Sequence, residues 1–256
     1  MIAQETGGFG FAAGRWPLDG AKSTLLFIHG AASSAAFWQA QVDGLAGRAN
    51  TVAVDLPGHG KSQGAGRKLM ADYARSVFEF MDAAGLADPI PCGISMGGAV
   101  AQQLLLDYPG RFPAGILICT GAKLKIMPAL YEIIQKDYPG FVAMMGQWGP
   151  SSKTDPAQIQ PFLDDVARCR PLVTFGDFQA CDSFNVMDRL AEIQVSVLVV
   201  TAEDDRLTAP KYGEFLEKNI PKATRVHIAA AGHIASMEQP ARVNQAIVEF
   251  LDRSGL

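Results

Sequence analysis

A six-residue run, Gly93-Ile94-Ser95-Met96-Gly97-Gly98, constrains this chain more than any other feature, because it lies between an apolar stretch that reads as a strand and a segment that reads as a helix. A serine at such a strand-to-helix turn is held with its hydroxyl exposed, and glycines at 93 and 97 let neighbouring backbone come close where a Cβ would clash. The pattern G-x-S-x-G arises by chance in glycine-rich chains, and this one has 26 glycines, so the flanking strand and helix are what give it weight. The competing reading is a plain turn in which Ser95 caps the helix.

Short β-rich apolar runs alternate with helical patterns, which predicts an α/β fold with a mostly parallel sheet covered by helices on both faces. Candidate strands are Thr24 to Ile28, Thr51 to Val54, Ile90 to Cys92, Gly115 to Cys119, Val195 to Val200 and Arg225 to Ile228. Phe9 to Leu18 adds a small antiparallel edge. Asp72 to Ala84 carries Tyr73, Val77, Phe80, Met81 and Ala84 at three-to-four-residue spacing, with Gly85 where a helix would stop. Helices also fit Gly97 to Tyr108, Lys211 to Asn219 and Ala241 to Leu251. The alternation breaks over residues 121–189, where Pro128, Pro139, Pro150, Pro156, Pro161 and Pro171 separate pieces that look helical. That stretch is too long and too apolar for a plain loop, so a core of 1–120 and 190–256 is expected to carry a helical insertion of 121–189.

A serine hydroxyl is a poor nucleophile until a base takes its proton, so a histidine must come from elsewhere. Four are available. His29 and His59 lie in tight turns after early strands, and His227 sits inside an apparent strand, where a partly covered structural role suits it. His233 follows the last strand on a loop leading to the C-terminal helix, beyond a strand's carboxyl end, where α/β sheets assemble their sites. It is the expected base. The imidazole needs a carboxylate to fix its tautomer, and Glu203, Asp204 and Asp205 all follow the strand that ends near Val200; residue types alone do not choose among them. Backbone N–H groups for an oxyanion are expected from Met96, at the helix start, and Ala31, in the small-residue run Ala31 to Ala36.

In these residues the chain resembles the α/β-hydrolase superfamily, in its branch of small capped serine esterases and lactonases. The resemblance covers roughly Thr24 to Leu251 and rests on several segments in order: His29-Gly30 with Phe37-Trp38, Asp55-Leu56-Pro57-Gly58-His59-Gly60-Lys61-Ser62, the turn around Ser95, Asp205 to Pro210, and Gly232-His233 with Glu238-Gln239-Pro240. The serine, acid, histidine order matches that of the family. The family's acid stands three residues after a strand-ending glycine; Ala202 takes that glycine's place here, and the count selects Asp205 over Asp204. Ile94 stands where many relatives carry histidine. The resemblance implies that 121–189 is a helical cap between the sixth and seventh core strands, that Pro57 to Gly60 is scaffolding, and that Asp55 anchors a loop.

The implied reaction is hydrolysis of a carboxylic ester or lactone through an acyl-enzyme on Ser95. The Met- and Phe-rich insertion favours a small to medium, largely hydrophobic substrate. Two rivals share these residues: cleavage of a carbon–carbon bond in an aromatic ring-fission product, and a non-catalytic ligand-binding protein of the same fold. No cofactor or metal is expected, since there is neither H-E-x-x-H nor a clustered Cys/His set, and no G-x-G-x-x-G follows a strand. A formal net charge of -4, with no Lys/Arg cluster longer than a pair, argues against nucleic acid. No signal-like N-terminus and no membrane-length apolar run are seen, and the widely spaced Cys92, Cys119, Cys169 and Cys181 read as apolar fillers. The expectation is a cytoplasmic protein acting on a small molecule, for which a homo-oligomer is compatible with the sequence.

Overall fold

The computed structural model describes residues 1–256. Eight strands, β1 (Ile2–Thr6), β2 (Phe9–Ala13), β3 (Thr24–Ile28), β4 (Asn50–Val54), β5 (Ile90–Ile94), β6 (Ala114–Ile118), β7 (Ser196–Ala202) and β8 (Ala223–Ile228), form one sheet in the order β1-β2-β4-β3-β5-β6-β7-β8. β1 and β2 run antiparallel to their neighbours, and all other pairings are parallel. The antiparallel edge is therefore a hairpin over residues 2–13, and it does not extend to Leu18 as the sequence reading had it. Its turn is Gly7-Gly8, both at positive φ (55° and 83°), the backbone that a two-residue hairpin turn requires. β1 is mostly exposed and polar, so it offered no apolar run to find.

Helices α1 (Gln39–Leu45), α2 (Met70–Ala84) and α3 (Met96–Asp107) connect the first strands. Four more, α4 (Pro128–Lys136), α5 (Tyr138–Trp148), α6 (Pro156–Arg168) and α7 (Pro171–Ser183), form the cap between β6 and β7. Each opens with a proline in its first turn, where the missing N–H needs no partner. Two cap prolines are exceptions: Pro150 lies between α5 and α6, and Pro161 lies inside α6. After β7 come α8 (Pro210–Asn219), the single turn α9 (Ala235–Glu238) and α10 (Pro240–Ser254).

Alternation along the strands divides the core in two. Leu26, Ile28, Val52 and Val54 pack with α2 and α3, while Leu25, Phe27, Ile116 and Leu198 pack with α1 and α10. These strand side chains are fully buried, each contributing roughly 1.5–3 kcal/mol of transfer free energy. With both faces covered, the carboxyl ends of the strands are left to form a site: residue 30 follows β3, 95 follows β5, 205 follows β7 and 233 follows β8. No helix is long and apolar enough to cross a membrane. The four cysteines are free thiols, three of them buried.

Candidate active site

Ser95 occupies the sharp bend between β5 and α3 with φ 54° and ψ -118°, a region that costs a non-glycine residue on the order of 1–3 kcal/mol. The bend closes only because its neighbours lack a Cβ. One at Gly93 would meet the Gly97 carbonyl oxygen at 2.0 Å, and one at Gly97 would meet the Ile28 carbonyl oxygen at 2.1 Å. Ser95 N–H donates to Ile118 O (3.0 Å), and Thr120 Oγ1 donates to Ser95 O (2.8 Å), pinning the bend to the loop after β6. The Ser95 side chain makes no capping bond to α3, so its hydroxyl is not spent as a helix cap. Met96, as first residue of α3, has an N–H without an intrahelical acceptor.

Across from the bend, the loop Gly30 to Ser34 is held by three carboxylates. Asp55 Oδ1 accepts from Ala35 N–H (2.7 Å) and its Oδ2 from Lys61 N–H (2.9 Å). Asp165 of α6 accepts from the Ser33 and Ser34 hydroxyls at 3.0 and 2.8 Å. Asp177 of α7 accepts from the N–H of Ala32 at 2.9 Å, holding that residue at φ 59°. Ala31 N–H, next to it, is left free to face the cavity, and Gly30 brings the loop against Ser95, a Cβ there being 3.5 Å from Ser95 Cβ.

Asp177 is fully buried and also accepts from Tyr73 Oη and from His59 Nε2, the latter at 2.9 Å. The other ring nitrogen of His59 lies 3.2 Å from the Pro57 carbonyl oxygen, so both nitrogens face acceptors and the ring is an imidazolium. Burial alone would lower its pKa, but the Asp177 charge and hydrogen bond outweigh burial and hold it well above its ordinary value. His29, 4.9 Å away between ring centroids, is the opposite case: Nδ1–H donates to Gly30 O (2.8 Å) and Nε2 accepts from Leu56 N–H (3.0 Å). Burial, and then the charge on His59, keep it neutral. The Pro57 to Gly60 turn is thus scaffolding that reaches through Asp177 to residue 32.

Asp177→Ala should destabilise the fold by about 3–5 kcal/mol in urea unfolding, because it strands a buried imidazolium. A histidine whose folded pKa is raised contributes stability in full below its unfolded value, about 6.5, and loses it as pH climbs through the folded value. The gap between wild type and variant should therefore narrow from pH 6 to pH 10. A gap constant across that range would mean that His59 carries no charge.

On the opposite side, His233 Nδ1 lies 3.1 Å from both Asp205 carboxylate oxygens and 3.1 Å from Thr208 Oγ1. Three acceptors around Nδ1 place the proton there and leave the Nε2 lone pair free. Asp205 is buried and accepts from Leu207 N–H (2.9 Å), Thr208 N–H (2.8 Å) and Thr208 Oγ1 (2.8 Å). Burial would raise its pKa, but His233 and these donors together hold it below the usual carboxylate range. The neighbouring acids turn elsewhere. Asp204 accepts from Ser151 Oγ (2.6 Å) and pairs with Lys153 (3.4 Å), while Glu203 accepts from Ala230 N–H (2.8 Å). The His233 loop is tied to the cap by its own N–H donating to Gly149 O (2.6 Å), and by Glu238, which accepts from Gly232 N–H (2.9 Å) and Ser151 N–H (2.7 Å).

Ser95, His233, Gly30 and Ala31 share the wall of one cavity of about 610 Å³ between the sheet and the cap. Nineteen of its 28 lining residues are hydrophobic, among them Phe37, Leu130, Met144, Met145, Phe162 and Phe178.

The model of the alpha/beta hydrolase family matches residues 25–246. The chain belongs to that family. It is 24% identical to 3-oxoadipate enol-lactonase 2 of Acinetobacter baylyi over 240 residues, which cover 91% of this chain and 90% of the relative. It is 25% identical to the pimeloyl-(acyl-carrier protein) methyl ester esterase of Pectobacterium carotovorum, covering 92% of this chain and 97% of that one. Among solved structures, one described as a thermophilic esterase superposes with a TM-score of 0.83 at 28% identity, covering 99% and 98% of the two chains.

Ser95, His233, Asp205, Ala31 and Met96 thus all lie at the carboxyl edge of the sheet, and Asp205, rather than Asp204 or Glu203, is the acid that meets His233. His227 differs from the sequence reading: it is exposed, bonded to Thr201 Oγ1 at 3.0 Å, because β8 is the outer strand of the sheet and leaves that position open. Asp165 and Asp177 were missed. No spacing rule links an acid on a cap helix to a loop more than 130 residues earlier in the chain.

Proposed function

We propose that the chain is a serine hydrolase of small to medium, largely hydrophobic carboxylic esters or lactones, with Ser95 as nucleophile, His233 as general base and Asp205 as its orienting acid. The observation that carries this reading is that Ser95, His233 and the Ala31 loop all open onto one apolar cavity. His233 Nε2 takes the Ser95 proton as Oγ attacks the carbonyl carbon, and Asp205 stabilises the resulting imidazolium. The free N–H groups of Ala31 and Met96 receive the oxyanion. The imidazolium then gives its proton to the departing alkoxide oxygen, which leaves as the alcohol or, in a lactone, stays tethered to the acyl group. A water molecule, deprotonated by the same imidazole, attacks the acyl-enzyme and releases the acid and Ser95.

Relatives named as an enol-lactonase and a methyl ester esterase span more than nine-tenths of this chain and support an ester or lactone carbonyl as the target. The test is turnover of p-nitrophenyl esters of graded acyl length, several lactones and a ring-fission dienoate by wild type and the S95A variant. Ester or lactone hydrolysis is expected to exceed dienoate cleavage by at least about tenfold in kcat/KM, equivalent to about 1.4 kcal/mol of differential transition-state binding. Preference for the dienoate would replace this reading with carbon–carbon hydrolysis.

A further inference from the structure

The mouth of the cavity has a charge pattern opposite to that of the molecule. The chain has 26 acidic and 22 basic residues, yet the cavity is lined by four cations, Lys123, Lys125, Arg206 and Lys211, and by no aspartate or glutamate. Two of the four are engaged: Lys125 pairs with Asp182 at 3.0 Å, and Arg206 donates to the carbonyl oxygens of Gln147 and Pro150 at 2.6 and 3.2 Å. Lys123 and Lys211 have neither an ion pair nor a hydrogen bond for their ammonium groups, and Lys211 Nζ stands only over the Tyr212 ring, 5.3 Å from its centroid. They lie on adjoining segments, since a Cβ on Gly121 would stand 3.3 Å from Tyr212 Cβ and 3.3 Å from Lys123 O.

The same mouth is apolar. Met127, Trp148, Met187, Leu207 and Tyr212 line it, and they are five of the nine large hydrophobic side chains exposed anywhere on the molecule. Two cations with no anionic partner, set in an apolar collar, favour a ligand with a hydrocarbon body and an anionic end. A purely apolar ester would use the collar and leave both ammonium groups without a counter-charge.

Building on the serine-hydrolase reading above, we infer that the substrate is an amphiphilic acid derivative. Its scissile ester or lactone carbonyl sits at Ser95, its hydrocarbon chain fills the cavity, and a terminal carboxylate lies between Lys123 and Lys211. These two lysines set specificity and take no part in the chemistry.

The experiment compares monomethyl suberate with methyl octanoate, two eight-carbon acyl chains that differ at the end remote from the ester. Wild type should show the higher kcat/KM on the suberate. The suberate-to-octanoate ratio should fall about tenfold in the double variant K123Q/K211Q, about 1.4 kcal/mol shared between two exposed charge contacts. It should fall further in K123E/K211E, and also in wild type at high salt. A ratio unchanged in both double variants, with both esters turned over, overturns this inference and leaves the Ser95 reading standing. Failure of wild type to hydrolyse either ester or to be labelled at Ser95 by a fluorophosphonate overturns both. A flat ratio combined with lysine-dependent binding to vesicles containing phosphatidylserine would assign the cations to a lipid surface and likewise overturn it.

Discussion

Ser95→Ala is expected to lower kcat by at least about 10³-fold and to abolish covalent labelling by a fluorophosphonate. The size follows from what the proposed mechanism leaves when the hydroxyl is removed: the Ala31 and Met96 N–H groups and the apolar cavity would still bind an ester and polarise its carbonyl, but no atom of the chain would be left to form the acyl-enzyme. Stability should hardly change, because the side chain makes no capping bond to α3, and alanine inherits the same φ of 54° without added strain. The pair of measurements, kcat and thermal midpoint, therefore separates chemistry from folding. A variant that keeps more than about a tenth of wild-type kcat would end the nucleophile assignment, since removing a group that forms the covalent bond costs far more.

The second large effect is at the acid. Asp205→Asn should cost about 10³- to 10⁴-fold in kcat, whereas Asp204→Asn should stay within about threefold. An asparagine at 205 can accept through only one side-chain atom, while Leu207 N–H, two groups of Thr208 and His233 Nδ1–H all seek acceptors there. If the amide NH₂ faces the ring, Nδ1 must become the acceptor, and the proton moves to Nε2, where the base is needed. An asparagine at 204 can still accept from Ser151 Oγ through its carbonyl oxygen. The charge it gives up is partly exposed and pairs with the surface Lys153, an interaction worth little. Equal losses at both positions would show that His233 does not depend on Asp205.

The central sheet was legible because its strands are buried on both faces and read as near-continuous apolar runs, as in Thr24–Ile28, where the sequence boundaries and the structural ones coincide. The serine bend was legible for a steric reason: backbone approaches of about 2 Å to a would-be Cβ admit only glycine at 93 and 97, so the requirement is written in the residue type. The cap was legible as an interruption, since prolines mark its helix starts. Of the polar bracing, the loop anchor Asp55 was legible through the resemblance, but the acids on the cap were not. Asp165 and Asp177 act across more than 130 residues by contacts that depend on how α6 and α7 are docked, and nothing in residue type or spacing distinguishes them from ordinary surface acids. The choice among Glu203, Asp204 and Asp205 was likewise invisible to composition, because it is made by the direction in which the chain turns after β7.

Two of the three carboxylates that hold the loop after β3 belong to α6 and α7, so the insertion is a supporting wall as well as a roof. A homologous cap could not be transplanted onto this core, nor the present one trimmed away, without withdrawing the props under Ala32, Ser33 and Ser34. Divergence in substrate preference is consequently expected to accumulate on α4 and α5, which line the cavity without gripping that loop, while positions 165 and 177 tolerate little change.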